Sequence, residues 1–361
     1  TCALWAFLGA KKNHTMNAVS ATATRIDQTN VMLHLPLDEC LRYDNVGAST
    51  HIPAALHAWR KCMPWATRVI SVGHIDAHVN THASEHCMNR GIMTTLITGA
   101  TGGLGRELAL LFANDDHDLL LTARHADQLA ELQAKLIKQF HVHVTSVVLD
   151  LSDTEAAEKL FRYAQEKGIV IDTLVNCAGF GDWADFMHED RRKLNAMMQV
   201  NMVTLAKLMR LFGEDMVGRH GGRILNIASV AATIPGPYMA AYYASKAFVR
   251  SLSVAVAREV RGTGVTVTCI CPGSISTGFE KAAAMQGHNF FTMVRPSTPK
   301  AIAQFAYRKM QLGRALGYAG AFAKGVAFAT RLAPEYLNAL CAGFMNGGDP
   351  SATTSSENPQ K

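Results

Sequence analysis

The chain has 361 residues and a formal net charge of +6, which is more sequence than a single α/β domain of ~250 residues requires. Its lysines and arginines are scattered and form no basic block interleaved with aromatic residues, which argues against nucleic acid as a partner. No run of 18 uncharged apolar residues occurs, even in the apolar stretch 315–333, so we expect no membrane span.

The first 92 residues show no sustained helix or strand periodicity and no internal repeat. Met93 directly precedes the first predicted strand. We therefore expect translation to start at Met93 or Met88, and we interpret residues 1–92 as a gene-prediction artefact or a disordered extension. The segment is no good match to a secretory signal, because its apolar start is short and lacks basic residues, so cytoplasm is the expected location.

Four histidines of this segment recur every four residues: His74, His78, His82 and His86. On a helix they would share one face and could chelate a divalent metal. Poor helix formers lie among them, and no carboxylate is in register to orient the imidazoles. We predict no metal site here.

From Met93 onward, strand and helix patterns alternate. Short apolar runs rich in branched residues predict buried parallel strands at 95–98, 119–122, 144–149, 174–176, 224–228 and 267–271. Amphipathic stretches predict helices at 106–113, 126–139, 154–167, 192–217 and 241–261. This alternation predicts an α/β domain over 93–347, a doubly wound parallel sheet (Rossmann fold) with helices on both faces, followed by a disordered tail at 348–361.

A glycine-rich loop follows the first predicted strand. Without a β-carbon, Gly99, Gly103 and Gly105 allow a tight turn, close approach of the backbone to a pyrophosphate, and close packing of the next helix on the sheet. The amino end of that helix would then face negative phosphate. The alternative is a plain strand-turn-helix connection.

Tyr242 and Lys246 lie four residues apart on a predicted helix and so share one face. An ammonium below the phenol would favour the ionised form of the tyrosine and make it a usable acid-base group. Tyr243 competes for this role, since it is three residues from Lys246. Ser229 lies 13 residues before Tyr242.

The ordered motifs resemble the short-chain dehydrogenase/reductase family over about residues 94–347. The motifs are the glycine loop at 98–105, Asp150, the segment 176–179, Asn201, Ser229, Tyr242 with Lys246, and the segment 272–277. The resemblance implies a single-domain NAD(P)-dependent oxidoreductase acting on CH–OH or C=O groups. It implies four catalytic residues, Asn201, Ser229, Tyr242 and Lys246. Taken singly, Ser229 could be a helix cap, Asn201 a polar helix-face residue and Tyr242 a core aromatic.

The same resemblance implies a set of cofactor-binding residues: Thr98, Gly99, Thr101, Gly103, Leu104, Gly105, Arg124, Asp150, Leu151, Asn176, Ala178, Gly179, Tyr242, Lys246, Pro272, Gly273, Ile275 and Thr277. Asp150 could instead cap the following helix. Arg124 stands where enzymes that use NAD usually carry an acidic residue, and its guanidinium can pair with a 2′-phosphate, so NADP is predicted. The glycine loop itself contains no lysine or arginine, so NAD is the alternative cofactor.

We therefore predict an NADP-dependent reductase of ketone, aldehyde or oxoacyl substrates. The alternative is a non-catalytic dinucleotide-binding sensor or partner protein on the same fold. The segment 279–294 contains two methionines and three phenylalanines and is expected to cover the site, which favours an apolar small-molecule substrate. We expect a homo-oligomer from the family resemblance, and reduced core thiols at Cys177, Cys269, Cys271 and Cys341.

Overall fold

The computed structural model describes residues 93–276 and 296–347. The expectations for residues 1–92, Thr277, the covering segment 279–294 and the tail 348–361 lie outside the described residues. Within the described part of the chain, no helix is long and apolar enough to cross a bilayer.

Seven parallel strands form one sheet in the order β3-β2-β1-β4-β5-β6-β7. They are β1 Thr94–Thr98, β2 Asp118–Ala123, β3 Val144–Val148, β4 Thr173–Asn176, β5 Gly222–Ile227, β6 Val265–Pro272 and β7 Leu316–Ala319. The strand order reverses between β1 and β4, which pair through Thr95 and Thr173. Ligands of such sheets bind where this reversal opens a crevice at the carboxyl ends of the strands. The predicted doubly wound sheet is confirmed.

The described residues form nine α-helices, which connect or follow these strands. They are α1 Gly103–Asn114, α2 Ala126–Phe140, α3 Ala156–Glu166, α4 Arg191–Met198, α5 Leu205–Gly218, α6 Ala240–Glu259, α7 Pro299–Gln311, α8 Ala321–Leu332 and α9 Glu335–Asn346. A π-helical segment, Gln199–Thr204, joins α4 to α5, and a 3₁₀ turn, Val230–Thr233, follows β5.

The sheet is buried on both faces because helices pack against each of them, and successive strand residues point to opposite faces. Ile97 of β1 packs into the cluster formed with α1, α2 and α7. Leu96, its neighbour, packs into the cluster formed with α3, α5 and α6. Since helices cover both faces, most strand side chains are buried, and the motifs singled out in the sequence lie at or after the carboxyl ends of the strands.

The structure differs from the sequence expectations at three places. The stretch 192–217 is not one helix, because the π-helical segment interrupts it. The seventh strand, β7, was not predicted. It is four residues long and includes Gly317, where a β-carbon would lie 3.0 Å from Cδ1 of Ile270 on β6. Cys341 is exposed on α9, so the expectation that all four thiols of the domain lie in the core is wrong there.

Candidate active site

The loop between β1 and α1 turns tightly against the end of β4. Gly99 has a φ of +65°, and a β-carbon there would lie 2.8 Å from Cα of Ala178. A β-carbon on Gly105 would lie 2.2 Å from the carbonyl oxygen of Gly99. Because both contacts are with backbone atoms, neither position has room for a larger residue. The tight shape of the loop therefore requires glycine at both positions.

The amino end of α1 faces a cavity. Gly102 is the residue before the first turn, and no side chain caps the helix there. Gly103, Leu104 and Gly105, the first residues of the helix, line the cavity. Unpaired N–H groups at a helix start stabilise an anion placed beside them.

The cavity has a volume of about 350 Å³ and lies at the carboxyl edge of the sheet. One side is formed by the glycine loop and Arg124. The other side is formed by residues after β5, at the start of α6 and within it, and at or after the end of β6, namely Ser229, Val230, Ala231, Met239, Tyr242, Tyr243, Lys246, Pro272, Gly273, Ser274 and Ile275. The structure thus brings the loop, the tyrosine, the lysine and the serine of the sequence motifs to one cavity.

A second cavity of about 230 Å³ shares Gly99, Gly102, Arg124 and Gly179 with the first. It is also lined by Thr101, Asp150, Leu151 and Ala178, all named in the sequence analysis. Together the two cavities form an elongated cleft.

Arg124 lies at the junction of the two cavities and is exposed. Asp150 accepts hydrogen bonds from the backbone N–H and the hydroxyl of Ser152, at 2.9 and 2.8 Å. Its carboxylate therefore orders the turn after β3 while it lines the cleft. It does not cap α3 itself, since that helix begins at Ala156.

Tyr242 and Ser229 are directly linked. Burial raises the pKa of Tyr242 to about 12, and a hydrogen bond with the side chain of Ser229 acts in the opposite direction. Ser229 also accepts a hydrogen bond from the N–H of Ala231 at 3.1 Å, so it does cap the 3₁₀ turn. Capping and contact with the tyrosine are compatible because a hydroxyl has two lone pairs and one proton.

Tyr243 is turned away from this pair. Its hydroxyl donates to Oδ1 of Asn346 at 2.9 Å. The ring centroids of Tyr242 and Tyr243 are 6.1 Å apart, with an edge-to-face arrangement. The two consecutive tyrosines thus have different partners, and Tyr242 is the one hydrogen-bonded to Ser229.

Lys246 is buried one helical turn after Tyr242, and its Nζ donates to the carbonyl of Ile227 at 3.1 Å. Nζ is 5.8 Å from the centroid of the Tyr242 ring. Burial lowers the pKa of Lys246. The four-residue spacing predicted that the ammonium of Lys246 favours ionised Tyr242. Burial of the phenol outweighs any such effect, raises its pKa and keeps its proton bound.

Asn201 lies in the π-helical segment and is fully buried. Its Oδ1 accepts from the N–H of Phe180 at 3.1 Å, and its Nδ2 donates to the carbonyl of Phe180 at 2.9 Å and to the hydroxyl of Ser245 at 3.0 Å. π-Helical turns occur often at functional sites. Here the turn places a polar side chain between the β4 loop and α6, so Asn201 is more than a polar residue on a helix face.

Gly179 lies where these groups meet. A β-carbon there would be 3.0 Å from Oδ1 of Asn201 and 3.1 Å from Nζ of Lys246. The asparagine and the lysine thus both border the backbone of Gly179, which itself lines both cavities.

Two predicted cofactor residues do not line either cavity. Thr98 accepts hydrogen bonds from the N–H groups of Cys177 and Ala178, so it holds the β4 loop in place. Asn176 donates to Oδ1 of the buried Asn226. Their roles toward a cofactor remain predictions.

Several cavity-lining residues were not predicted from the sequence, among them Phe180, Val230, Ala231 and Met239. Met239 could have been found, because it lies three residues before Tyr242 and so about one turn away. Phe180 directly follows the predicted segment 176–179.

Comparisons with known proteins agree with this geometry. A family model described as short chain dehydrogenase matches residues 93–286. The probable oxidoreductase EphD of Mycobacterium tuberculosis is 32% identical over 182 residues, which are 50% of this chain and 31% of EphD, so the match spans about a third of that relative. Sulfoacetaldehyde reductase 2 of Chromohalobacter salexigens is 32% identical over 222 residues, 59% of this chain and 80% of that enzyme.

Among solved structures, a short-chain dehydrogenase from Sphingobium yanoikuyae in complex with NADPH superimposes with a TM-score of 0.61 at 26% identity. The match covers 67% of this chain and 94% of that one. The family model spans more than half of the chain and includes the glycine loop, Ser229, Tyr242 and Lys246. The chain therefore belongs to the short-chain dehydrogenase family.

Proposed function

We propose that this chain is an NADP-dependent reductase that transfers hydride between nicotinamide and a ketone, aldehyde or oxoacyl substrate, with Tyr242 as the acid-base residue. The observation that carries the proposal is the hydrogen-bonded pair of Tyr242 and Ser229, which lines the same cavity as the glycine loop and the start of α1.

The cleft fits a dinucleotide. Gly99 and Gly105 leave backbone surface bare where a β-carbon would clash, and the uncapped start of α1 offers N–H groups to a pyrophosphate. Arg124, Asp150 and Leu151 would hold the adenosine end, and Lys246, Gly179 and Ile275 the nicotinamide end. When bound, NADPH supplies the hydride.

The chain's own residues supply the proton and stabilise the developing charge. Tyr242 holds its proton at neutral pH because burial raises the pKa of its phenol to about 12. In reduction this proton goes from the phenol to the carbonyl oxygen of the substrate, whose carbon receives the hydride. Ser229 would hydrogen-bond the same oxygen and stabilise its negative charge.

Lys246 and Asn201 would help to return a proton to the phenol of Tyr242 after each reduction. The ammonium of Lys246 lies one turn from the phenol and would favour a transient phenolate after proton transfer. Asn201 would hold a water that connects Lys246 to solvent, a role favoured by its position beside Gly179. We expect these two residues to affect turnover more than cofactor affinity.

NADP is favoured over NAD by Arg124, which is exposed at the junction of the two cavities. A guanidinium can bind a 2′-phosphate through two hydrogen bonds. The Sphingobium relative, solved with NADPH, supports the same choice.

An uncharged, largely apolar carbonyl compound is the proposed substrate. Phe180, Val230, Ala231 and Met239 line the cavity near Tyr242. Among the described residues, the only cations that line this cavity are Arg124 and Lys246, both assigned above to the cofactor. A charged group such as the sulfonate of sulfoacetaldehyde has no described partner here. Location in the cytoplasm and association into a homo-oligomer remain predictions.

The proposal is tested with the full chain by following oxidation of NADPH, and separately of NADH, against a panel of ketones, aldehydes and oxoacyl thioesters. Faster consumption of NADPH with at least one carbonyl class is expected. If the protein binds NADPH but consumes it with no member of the panel, the alternative of a non-catalytic dinucleotide-binding protein is favoured instead.

A further inference from the structure

Asn346, the last residue of α9, is fully buried although it is polar and lies near the end of the described chain. Its Oδ1 accepts from the hydroxyl of Tyr243 at 2.9 Å, and its Nδ2 donates to the carbonyl of Pro237 at 2.7 Å. Its own backbone carbonyl accepts from the indole N–H of Trp183 at 3.2 Å. One asparagine therefore joins three separate segments through hydrogen bonds.

Each of these three segments contains a residue that lines the cavity around Tyr242. Tyr243 itself lines the cavity. Met239 and Phe180 also line the cavity. Pro237 lies shortly before Met239 in the chain, and Trp183 lies shortly after Phe180. The hydrogen bonds of Asn346 thus connect α9 to the part of the cleft where the substrate would bind.

Packing contacts near Asn346 also fix α9 against the residues that line the cavity. Ala342, one turn earlier on α9, is fully buried in a cluster with Met239, Tyr242 and Tyr243. A β-carbon on Gly343 would lie 3.3 Å from Cγ of Pro237, so α9 and the loop before α6 are in close contact. The end of α9 therefore packs directly on the tyrosine pair.

The ring of Tyr243 has little freedom. It lies over Gly236, where a β-carbon would be 2.4 Å from the ring. Its edge-to-face contact with Tyr242 means that a shift of Tyr243 would also change the surface next to the phenol of Tyr242. The hydrogen bond to Asn346 fixes the remaining end of the side chain.

We propose that Asn346 is a positioning residue that holds Tyr243 and the loop at Pro237 as a rigid wall and thereby sets the size of the carbonyl substrate accepted. This inference rests on the proposed reductase function. Asn346 touches no reacting atom. It acts through Tyr243, which limits the space beside Tyr242.

The test compares Tyr243→Phe and Asn346→Ala with the wild-type full chain. Tyr243→Phe removes only the hydroxyl and keeps the ring, so it remains informative if Asn346→Ala folds poorly. Asn338→Ala is the matched control, because the amide of Asn338 also bonds backbone carbonyls in the C-terminal helices, those of Thr330 and Ala333, but does not line the cavity.

Turnover is measured with NADPH and a series of 2-ketones of increasing chain length. Loss of a hydrogen bond worth about 1 kcal/mol should change the ratio of kcat/KM for long over short ketones by about fivefold in both variants. The change should arise mainly in KM, and the Kd of NADPH should stay near the wild-type value. Asn338→Ala should lower the melting temperature without changing the ratio.

A wild-type ratio in Tyr243→Phe, whatever its melting temperature, would show that the network is only structural and overturn the inference. Failure of the reductase proposal has a different signature, since the wild type would then consume NADPH with no ketone. In that case the Kd values of the same ketones are measured by calorimetry for the wild type and for both variants. An unchanged ratio of the Kd for long over short ketones would again overturn the positioning role.

Discussion

Replacement of Gly99 by alanine tests whether the loop between β1 and α1 is shaped for a cofactor. Gly99 has a φ of +65° and Gly168 a φ of +63°. An alanine at either position would therefore be held in the left-handed backbone region, which destabilises the folded state by about 1–2 kcal/mol. A β-carbon on Gly168 would meet nothing within 4 Å, whereas on Gly99 it would lie 2.8 Å from Cα and 3.0 Å from the backbone nitrogen of Ala178. Gly168→Ala is therefore a control with matched backbone strain.

The clash at Gly99 has a definite size. Ordinary contacts of a β-carbon begin at 3.4 Å, so backbone must move by the difference between 3.4 and 2.8 Å, which is 0.6 Å. Both neighbouring atoms belong to the backbone at the end of β4, and no flexible side chain can absorb the shift. Displacements near 1 Å can cost about a hundredfold in function. We expect Gly99→Ala to weaken NADPH binding by about tenfold or more, which is ~1.4 kcal/mol.

Both variants should lose stability from the left-handed backbone, and Gly99→Ala should lose more because of its clash with Ala178, as measured by urea unfolding. Only Gly99→Ala should raise the Kd of NADPH, measured by the fluorescence of the bound nicotinamide. Equal NADPH affinity in Gly99→Ala and Gly168→Ala would refute the assignment of the loop as the pyrophosphate site.

Two further substitutions test the electrostatics of the cleft. Lys246→Met should abolish most turnover yet unfold no more readily than the wild type at neutral pH, because burial lowers the pKa of Lys246 and the charged amine therefore destabilises the folded state. Because the pKa of Lys246 is lower in the folded state than its unfolded value of 10.5, the folded wild type becomes more stable as pH rises toward that value. The gain in unfolding free energy of Lys246→Met over wild type, measured by urea titration, should therefore shrink toward that pH. A gain that grows with pH would contradict this. Arg124→Ala should weaken NADPH binding by roughly 10- to 100-fold, the loss of a charged hydrogen-bonded pair, and leave NADH nearly unaffected. Arg210→Ala, at an exposed arginine paired with Glu214, is its control, and equal losses for both cofactors would argue against a 2′-phosphate contact.

The sequence predicted the parts of the site that depend on local pattern. Tyr242 and Lys246 share a helix face by their spacing, and the turn at Gly99 follows from glycines placed directly after an apolar strand. These features involve residues close together in the chain. Their convergence on one cavity follows from the parallel sheet, which brings the carboxyl ends of the strands to one edge.

Other features could not be read from the sequence. The π-helical segment at Asn201 adds one residue to a turn, and an amphipathic pattern averaged over 192–217 does not register it. Asn346 reaches Tyr243 across 103 positions of the chain, and no local pattern encodes that contact. The proton affinity of Tyr242 also depends on tertiary structure, because burial rather than the neighbouring lysine dominates it.

The most direct test of the account is turnover by Tyr242→Phe, which removes one hydroxyl and leaves the ring in its apolar cluster. Loss of the proton donor should lower NADPH oxidation by about 10²- to 10⁴-fold with any accepted carbonyl substrate. The Kd of NADPH and the melting temperature should stay close to wild type, since the ring keeps its packing and only the hydroxyl is lost. Turnover within a few-fold of wild type in this variant would contradict the central claim that Tyr242 donates the proton.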